Sequence, residues 1–318
     1  MIILKKTPFS RCILFALRRF VDGYPCDFII NLLLYRYLVS SILIILFIKD
    51  DSMNQAKRQI YLLELIKVNG EILTKDLSKK LNVSSMTINR DLKALAASGA
   101  VKLIHGGAVS CDMSTSEYPM TLKEEANPNG KKRIAAYCKY LVKSGDSVFI
   151  ETGTTTLAVA KEIFRTENCT FYTNSLLALN ALSKFSGVVL HAVPGKYREL
   201  SQGFLGTQTI DYLKNFQFDI AFVGTEGIDV DLGVTLPNEE DAYTKKMVMQ
   251  QAKKIVMVAD HTKFGLTHLY RAMELKYIDL IITDLDEETP LFKQISKVTN
   301  IVSVTNADDL NCEQWEQV

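Results

Sequence analysis

Between Ile60 and Gly70 the apolar residues Ile60, Leu62, Leu63, Leu65 and Ile66 form a helical stripe, which the pair Asn69-Gly70 closes. Thr74 is placed to cap a second, short helix from Lys75 to Leu81 that buries Leu77 and Leu81. "NVS" (Asn82 to Ser84) reads as a tight turn with Ser84 as N-cap, followed by a third helix from Ser85 to about Ala97 that stops at Gly99. In that helix Ile88, Leu92 and Leu95 fall at i, i+4 and i+7 and form the buried stripe, so Ser85, Met86, Asn89, Arg90 and Lys93 must point elsewhere. Helix, helix, short turn, helix is the spacing of a helix-turn-helix. After Gly99, "AVKLI" alternates as a short strand and "HGGAV" turns back into another, predicting a β-wing that carries Lys102 and His105.

From Gly145 to Val304 the pattern changes. Short apolar runs ("SVFI", "CTFY", "GVVLHAV", "FDIAFVG", "KKIVMVA", "LIITD") alternate with helical segments near Thr155–Phe164, Leu176–Ser183, Thr207–Leu213 and Asp241–Ala252. That order predicts an α/β domain with a mostly parallel sheet covered on both faces. Ligands of such sheets sit at the carboxyl ends of the strands. There the chain turns polar: Glu151–Thr156, Thr173–Ser175, Pro194–Arg198, Gly224–Gly227 and Ala259–Gly265.

Charge separates the two regions. The formal net charge of +1 over 318 residues hides a basic segment, Met53 to Ala108, with nine bases against four acids. Residues 1–52 hold seven bases and four acids, which leaves the remainder at −7. A small basic module joined to a larger acidic one suits a nucleic-acid reader with a separate sensor. The six cysteines are scattered, without a CxxC pair or a histidine placed to complete a zinc site, so neither a disulfide framework nor a metal is expected and a cytoplasmic location fits. His191, His261 and His268 share no metal spacing, and Met247, Met249 and Met257 read as core filling.

Residues 1–52 are a separate matter. Ile29 to Ile48 is 20 residues long, apolar apart from Asn31, Tyr35, Arg36, Tyr37, Ser40 and Ser41, and about the length of a membrane span. Bases upstream would place the N-terminus inside and everything after Lys49 outside the cell, at odds with a DNA reader. Helical periodicity starts at once after Met53, so this apolar extension is read as non-native upstream translation, with a membrane anchor as the competing reading.

The chemistry follows from residue type. Ser, Thr and Asn hydrogen-bond base edges, Arg pairs with guanine or phosphate, and the N-terminal end of the third helix is the part that enters a major groove. The candidate DNA-binding set is Lys75, Ser84, Ser85, Met86, Thr87, Asn89, Arg90, Lys93, Lys102, His105 and Gly106. "ETGTTT" follows a strand and opens a helix, offering backbone N–H groups, hydroxyls and a positive helix end to an anion such as phosphate.

"VSSMTINRDLKALAASGAVKLIHGGAV" resembles the signature of the DeoR family of bacterial transcriptional regulators, V-S-x-x-T-I-R-R-D-L followed by leucine, glycine and a wing ending H-G-G-A. Asn89 departs from it, since the family usually has arginine there. The later loops resemble the same family's sensor domain, where D-x-G-T-T, T-N-S, G-[AT]-[DE]-G, E-A-x-x-K and A-D-x-x-K-F recur in this order. Glu151 stands for the usual aspartate, Asp241 for glutamate, and "PGKYR" has one glycine where two are common. The resemblance implies a winged helix-turn-helix at 53–109, a linker at 110–129 and, at 130–318, a sensor similar in fold to ribose-phosphate isomerases. It also implies an operator-binding homo-oligomer, a repressor of carbohydrate metabolism that a phosphorylated sugar releases, with no cofactor and no membrane partner. The effector set would be Glu151, Gly153, Thr154, Thr155, Thr156, Asn174, Lys196, Glu226, Asp241, Lys245, Asp260 and Lys263. Two alternatives stand beside it. A sugar-phosphate isomerase would use Asp241, Glu226 or Asp260 as base and Lys263 as electrophile, and a membrane-anchored signalling protein would need residues 1–52.

Overall fold

The computed structural model describes residues 54–97, 100–110, 117–163 and 166–305. The apolar run at 29–48 and the helix stop at Gly99 lie outside them. Among the described residues no helix is long and apolar enough to cross a membrane.

The first helix, α1 (Gln55–Asn69), starts where the Asn54 side chain accepts from the Lys57 amide at 2.8 Å. It ends at Gly70, whose φ of 77° lets its amide reach the Ile66 carbonyl. Strand β1 (Glu71–Leu73), which the sequence pattern did not reveal, leads directly into α2 (Thr74–Leu81). Thr74 is therefore not a cap: it is the first helical residue, buried, and its hydroxyl donates to Asn89 Oδ1 at 3.0 Å. Leu77 is buried as expected, but Leu81 is only half-buried at the helix end. Asn82 takes the left-handed conformation that turns the chain, and Ser84 Oγ accepts from the Thr87 amide to start α3 (Ser85–Ala97). Strands β2 (Val101–Ile104) and β3 (Gly107–Ser110) form the wing, and β1 pairs antiparallel with β3 to complete a three-stranded sheet. Ile88, Leu92 and Leu95 of α3 and Leu62 and Ile66 of α1 are all buried, and the two helices pack together. Each such side chain contributes ~1.5–3 kcal/mol by leaving water.

The segment read as a linker contains a helix, α4 (Met120–Glu125), which packs against α1. The α/β domain then opens with α5 (Pro128–Cys138) and builds a seven-stranded, all-parallel sheet from β4 (Ser147–Ile150), β5 (Thr170–Thr173), β6 (Val189–Ala192), β9 (Phe218–Val223), β12 (Ala252–Val258), β14 (Leu280–Thr283) and β15 (Ile301–Ser303). The strand order is β15-β14-β12-β9-β4-β5-β6. Alternate residues face opposite sides: Val148, Ile150, Phe171, Ile220 and Phe222 join α5, α6 (Thr154–Ile163) and α7 (Leu176–Leu182) in one core. Phe149, Ala221, Val223 and Met257 join α8 (Thr207–Leu213), α9 (Glu239–Gln250) and α10 (Pro290–Ile295) in the other. Met249 and Met257 are core residues, with Met247 packed beside them. The hairpin β7 (Lys196–Arg198)–β8 (Gly203–Leu205) and the antiparallel sheet of β10 (Gly227–Asp229), β11 (Gly233–Leu236) and β13 (Tyr270–Met273) were not legible as strands.

From β4 the chain proceeds outward through β5 and β6, then returns to the other side of β4 at β9 and proceeds the opposite way. The strand order therefore reverses between β4 and β9. That crevice is where α/β sheets place ligands.

Candidate functional site

Two surfaces carry the residues singled out by sequence. On α3, Ser85, Asn89, Arg90 and Lys93 are exposed and Met86 is 81% exposed, while the opposite face is buried. Ser84, Lys75, Lys102, His105 and Gly106 are exposed as well. Two members of the candidate set are partly committed inside the fold. Thr87 is half-buried with its hydroxyl 2.9 Å from Ser84 Oγ, and the Asn89 amide oxygen accepts from Thr74, tying α3 to α2. Behind this face lies an ion pair that sequence reasoning missed: Arg58 Nε of α1 donates to Asp91 of α3 at 2.5 Å, with Asp91 fully buried.

The second surface is a cleft at the β4/β9 reversal. Gly153 follows β4 with φ of 150°, a backbone conformation that favours glycine, and brings Thr154 and Thr155 at the head of α6 to the cleft wall. Gly224, Thr225 and Glu226 follow β9, Lys263 follows β12, and Asp241 and Lys245 come from α9. The remaining wall comes from Glu117, Met120 and Lys123, ahead of and within α4, with Thr152 after β4, Ser201 from the β7–β8 connection and Leu236 at the end of β11.

Charge in the cleft is arranged as a chain. Lys123 Nζ lies 2.5 Å from Glu226 Oε1 and 3.1 Å from Glu117 Oε1. Lys263 Nζ donates to Glu226 Oε2 at 2.9 Å, and Arg198 Nη2 approaches Glu117 Oε2 at 2.7 Å. Lys245 Nζ donates to Glu151 beneath the cleft floor. Burial alone would raise the Glu226 carboxyl, but Lys123 and Lys263 overcome it and hold Glu226 far below the usual carboxylate range. Asp241 behaves oppositely. Burial pushes its carboxyl up to about 7, Glu151 and Glu117 push the same way, and Lys245 only partly opposes them.

Four polar atoms around this cleft have no hydrogen-bond partner although they are buried: Glu117 Oε2, Arg198 Nη1, Ser201 Oγ and Asp241 Oδ1. Arg198 and Glu117 approach closely but are misaligned for a straight hydrogen bond. Orphaned buried polar atoms are rare in folded proteins, and these four cluster at the strand-order reversal.

Not every expected effector residue reaches the cleft. Gly153, Thr154, Thr155, Glu226, Asp241, Lys245 and Lys263 line it. Glu151 is fully buried as the partner of Lys245, and Thr156 turns inward to donate to the Gly153 carbonyl. Asn174 follows β5, one strand removed from the reversal, and donates to the Phe204 carbonyl. Asp260 caps a short 3-10 turn through the Thr262 amide. Lys196 lies on the surface beside Glu240, and its neighbour Arg198 is the cation of that strand that meets the cleft residues. Glu117, Lys123 and Ser201 were missed, since single polar residues in a presumed linker or a hairpin carry no periodic signal, and Thr225 lies in the Gly224–Gly227 loop without having been singled out.

The DeoR C-terminal sensor domain model matches residues 126–285, and the DeoR-like helix-turn-helix domain model matches residues 58–114. The chain belongs to the DeoR family. Among its DeoR-type relatives, the HTH-type transcriptional repressor GlcR of Bacillus subtilis (strain 168) is 34% identical over 237 residues, covering 73% of this chain and 89% of the relative. The glycerol-3-phosphate regulon repressor of Escherichia coli (strain K12) is 29% identical over 73% of this chain and 92% of its own length. Ribose 5-phosphate isomerase A of Methanocaldococcus jannaschii superposes with a TM-score of 0.33 at 18% identity, covering 44% of this chain and 55% of that one.

Proposed function

We propose that this DeoR-family protein is a transcriptional repressor of a carbohydrate-metabolism operon, held on operator DNA by α2, α3 and the wing and released when a phosphorylated sugar fills the cleft. The observation that carries the reading is the ring of unpartnered polar atoms at the strand-order reversal, beside the threonines at the head of α6. Thr154 and Thr155 with the helix N-terminus, Lys123 and Lys263 suit a phosphate. Asp241 Oδ1 and Ser201 Oγ suit sugar hydroxyls. The relatives named above, a transcriptional repressor and the repressor of a glycerol-3-phosphate regulon, support a repressor of this metabolic class.

Binding alone accounts for the site. Two of the three candidate bases are committed, Glu226 to two ammonium groups and Asp260 to capping a turn, and the fused operator-reading module accounts for a binding-only site. Release requires that the effector bind the two conformations unequally. A difference of ~1–3 kcal/mol changes operator affinity ~5–150-fold, enough to regulate. Paired copies on a repeated operator fit the helix-turn-helix geometry.

The test is calorimetric titration of sugar phosphates into wild type and Thr154→Val/Thr155→Val. Saturable binding by wild type and its loss in the double variant support the site. Equal binding by both proteins places the anion elsewhere.

A further inference from the structure

Glu117 lies seven positions after Ser110, the last residue of the wing, and three before Met120 opens α4. Its side chain is 4% exposed, and its two oxygens face Lys123 at 3.1 Å and Arg198 at 2.7 Å. Lys123 lines the cleft, and its own carbonyl accepts from Thr154 Oγ1 at 3.4 Å, so the Glu117 carboxylate sits among the donors an anion would use. Resting on the effector reading above, the geometry points to Glu117 as a resident carboxylate that competes for the cations of the anion position and is displaced when an effector anion binds.

A permanent structural pair of this burial would satisfy both partners. This one does not: Glu117 Oε2 and Arg198 Nη1 stay without a hydrogen-bond partner, and Ser201 Oγ nearby is also unpartnered. A phosphate offers three acceptor oxygens where a carboxylate offers two, so it can serve Lys123, Arg198 and a threonine hydroxyl together. The exchange has a mechanical consequence. Once Glu117 leaves the cations, the chain entering α4 loses its tether, and α4 is the element that packs against α1 of the DNA-binding domain. Lys131 holds the other end of this helix by donating to the Lys123 and Ala126 carbonyls, so movement at the Glu117 end acts on a helix pinned at one end.

The sign of one substitution separates displacement from a structural role. With inorganic phosphate as probe and the full chain in the calorimeter, Glu117→Gln should bind phosphate about tenfold more tightly than wild type, because the competitor has lost its charge. Arg198→Gln should bind it at least tenfold more weakly. In wild type, saturating phosphate should speed amide hydrogen exchange at Glu117, Tyr118 and the α4 amides of Leu122 and Lys123, a measurement that decides the matter even if Glu117→Gln folds poorly. Unchanged or weaker binding by a folded Glu117→Gln, or unchanged exchange at Glu117, Tyr118, Leu122 and Lys123, overturns the displacement while leaving phosphate binding by wild type intact. Failure of wild type to bind phosphate overturns the effector reading, and the displacement with it.

Discussion

Replacing Arg58 by Met should abolish operator binding although Arg58 is buried. Arg58 is 8% exposed and lies behind the α3 face, where its Nε donates to the fully buried Asp91 at 2.5 Å and Gln59 adds a longer contact at 3.4 Å. Removing one partner of a buried pair leaves an uncompensated charge and costs ~3–5 kcal/mol. The module of residues 54–110 has, at ~0.05–0.15 kcal/mol per residue, a total stability of ~3–9 kcal/mol. The loss is thus comparable with the whole, and α3 should leave its place on α1. Fluorescence anisotropy with operator DNA should show binding lost, while hydrogen exchange shows protection lost across 55–110 and kept in the β4 and β9 strands. Arg58→Met/Asp91→Leu should recover much of the stability, because a buried pair exchanged for apolar groups of similar volume is often neutral. Wild-type operator affinity and unchanged protection in Arg58→Met would refute the reasoning.

Asp241→Asn should stabilise the protein more at pH 8 than at pH 5. The folded carboxyl titrates near 7 and the unfolded one near its ordinary 3.8, so the destabilisation is absent below the lower value, grows as pH rises between them and is complete above 7. Thermal unfolding at the two pH values checks this, and a pH-independent difference contradicts it. Arg90→Ala should cost ~1–3 kcal/mol and relax specificity at one position if Arg90 reads a base, or lower the salt slope by about one if it holds a phosphate. Operator binding left unchanged by Arg90→Ala with Lys102→Ala would remove α3 and the wing from the interface. Gly107→Ala should destabilise the wing, because the added Cβ would lie 2.0 Å from the Ile72 carbonyl oxygen across the β1–β3 pair. Hydrogen exchange at 71–73 and 107–110 measures it, and unchanged protection would contradict the clash.

Periodic features were legible because one residue type recurs at a fixed interval. Ile88, Leu92 and Leu95 defined α3, and six of the seven sheet strands stood out as apolar runs, of which only the edge strand β6 is largely exposed. Strand β15 and β1 escaped because three residues give too short a run to show a period. The cleft was half legible. Loops after β4, β9 and β12 could be placed at one sheet edge by strand order, but the reach of a side chain depends on tertiary packing. Asp260 and Thr156 bear the right chemistry yet spend it on local turns, whereas Glu117 and Lys123 enter from a segment that looked like connection. Asp91 illustrates the limit most plainly, since a carboxylate in a family signature reads as polar surface until Arg58 is found beside it.

The central claim is that anion binding in the cleft releases DNA, and operator dissociation by matched pairs of sugars, each with and without its phosphate, tests it most directly. Anisotropy at constant ionic strength should show release by at least one phosphorylated member and none by its free sugar, with Thr154→Val/Thr155→Val still bound to operator at the same effector concentration. Release by free sugars at equal concentration, or a normal response from the double variant, would contradict it.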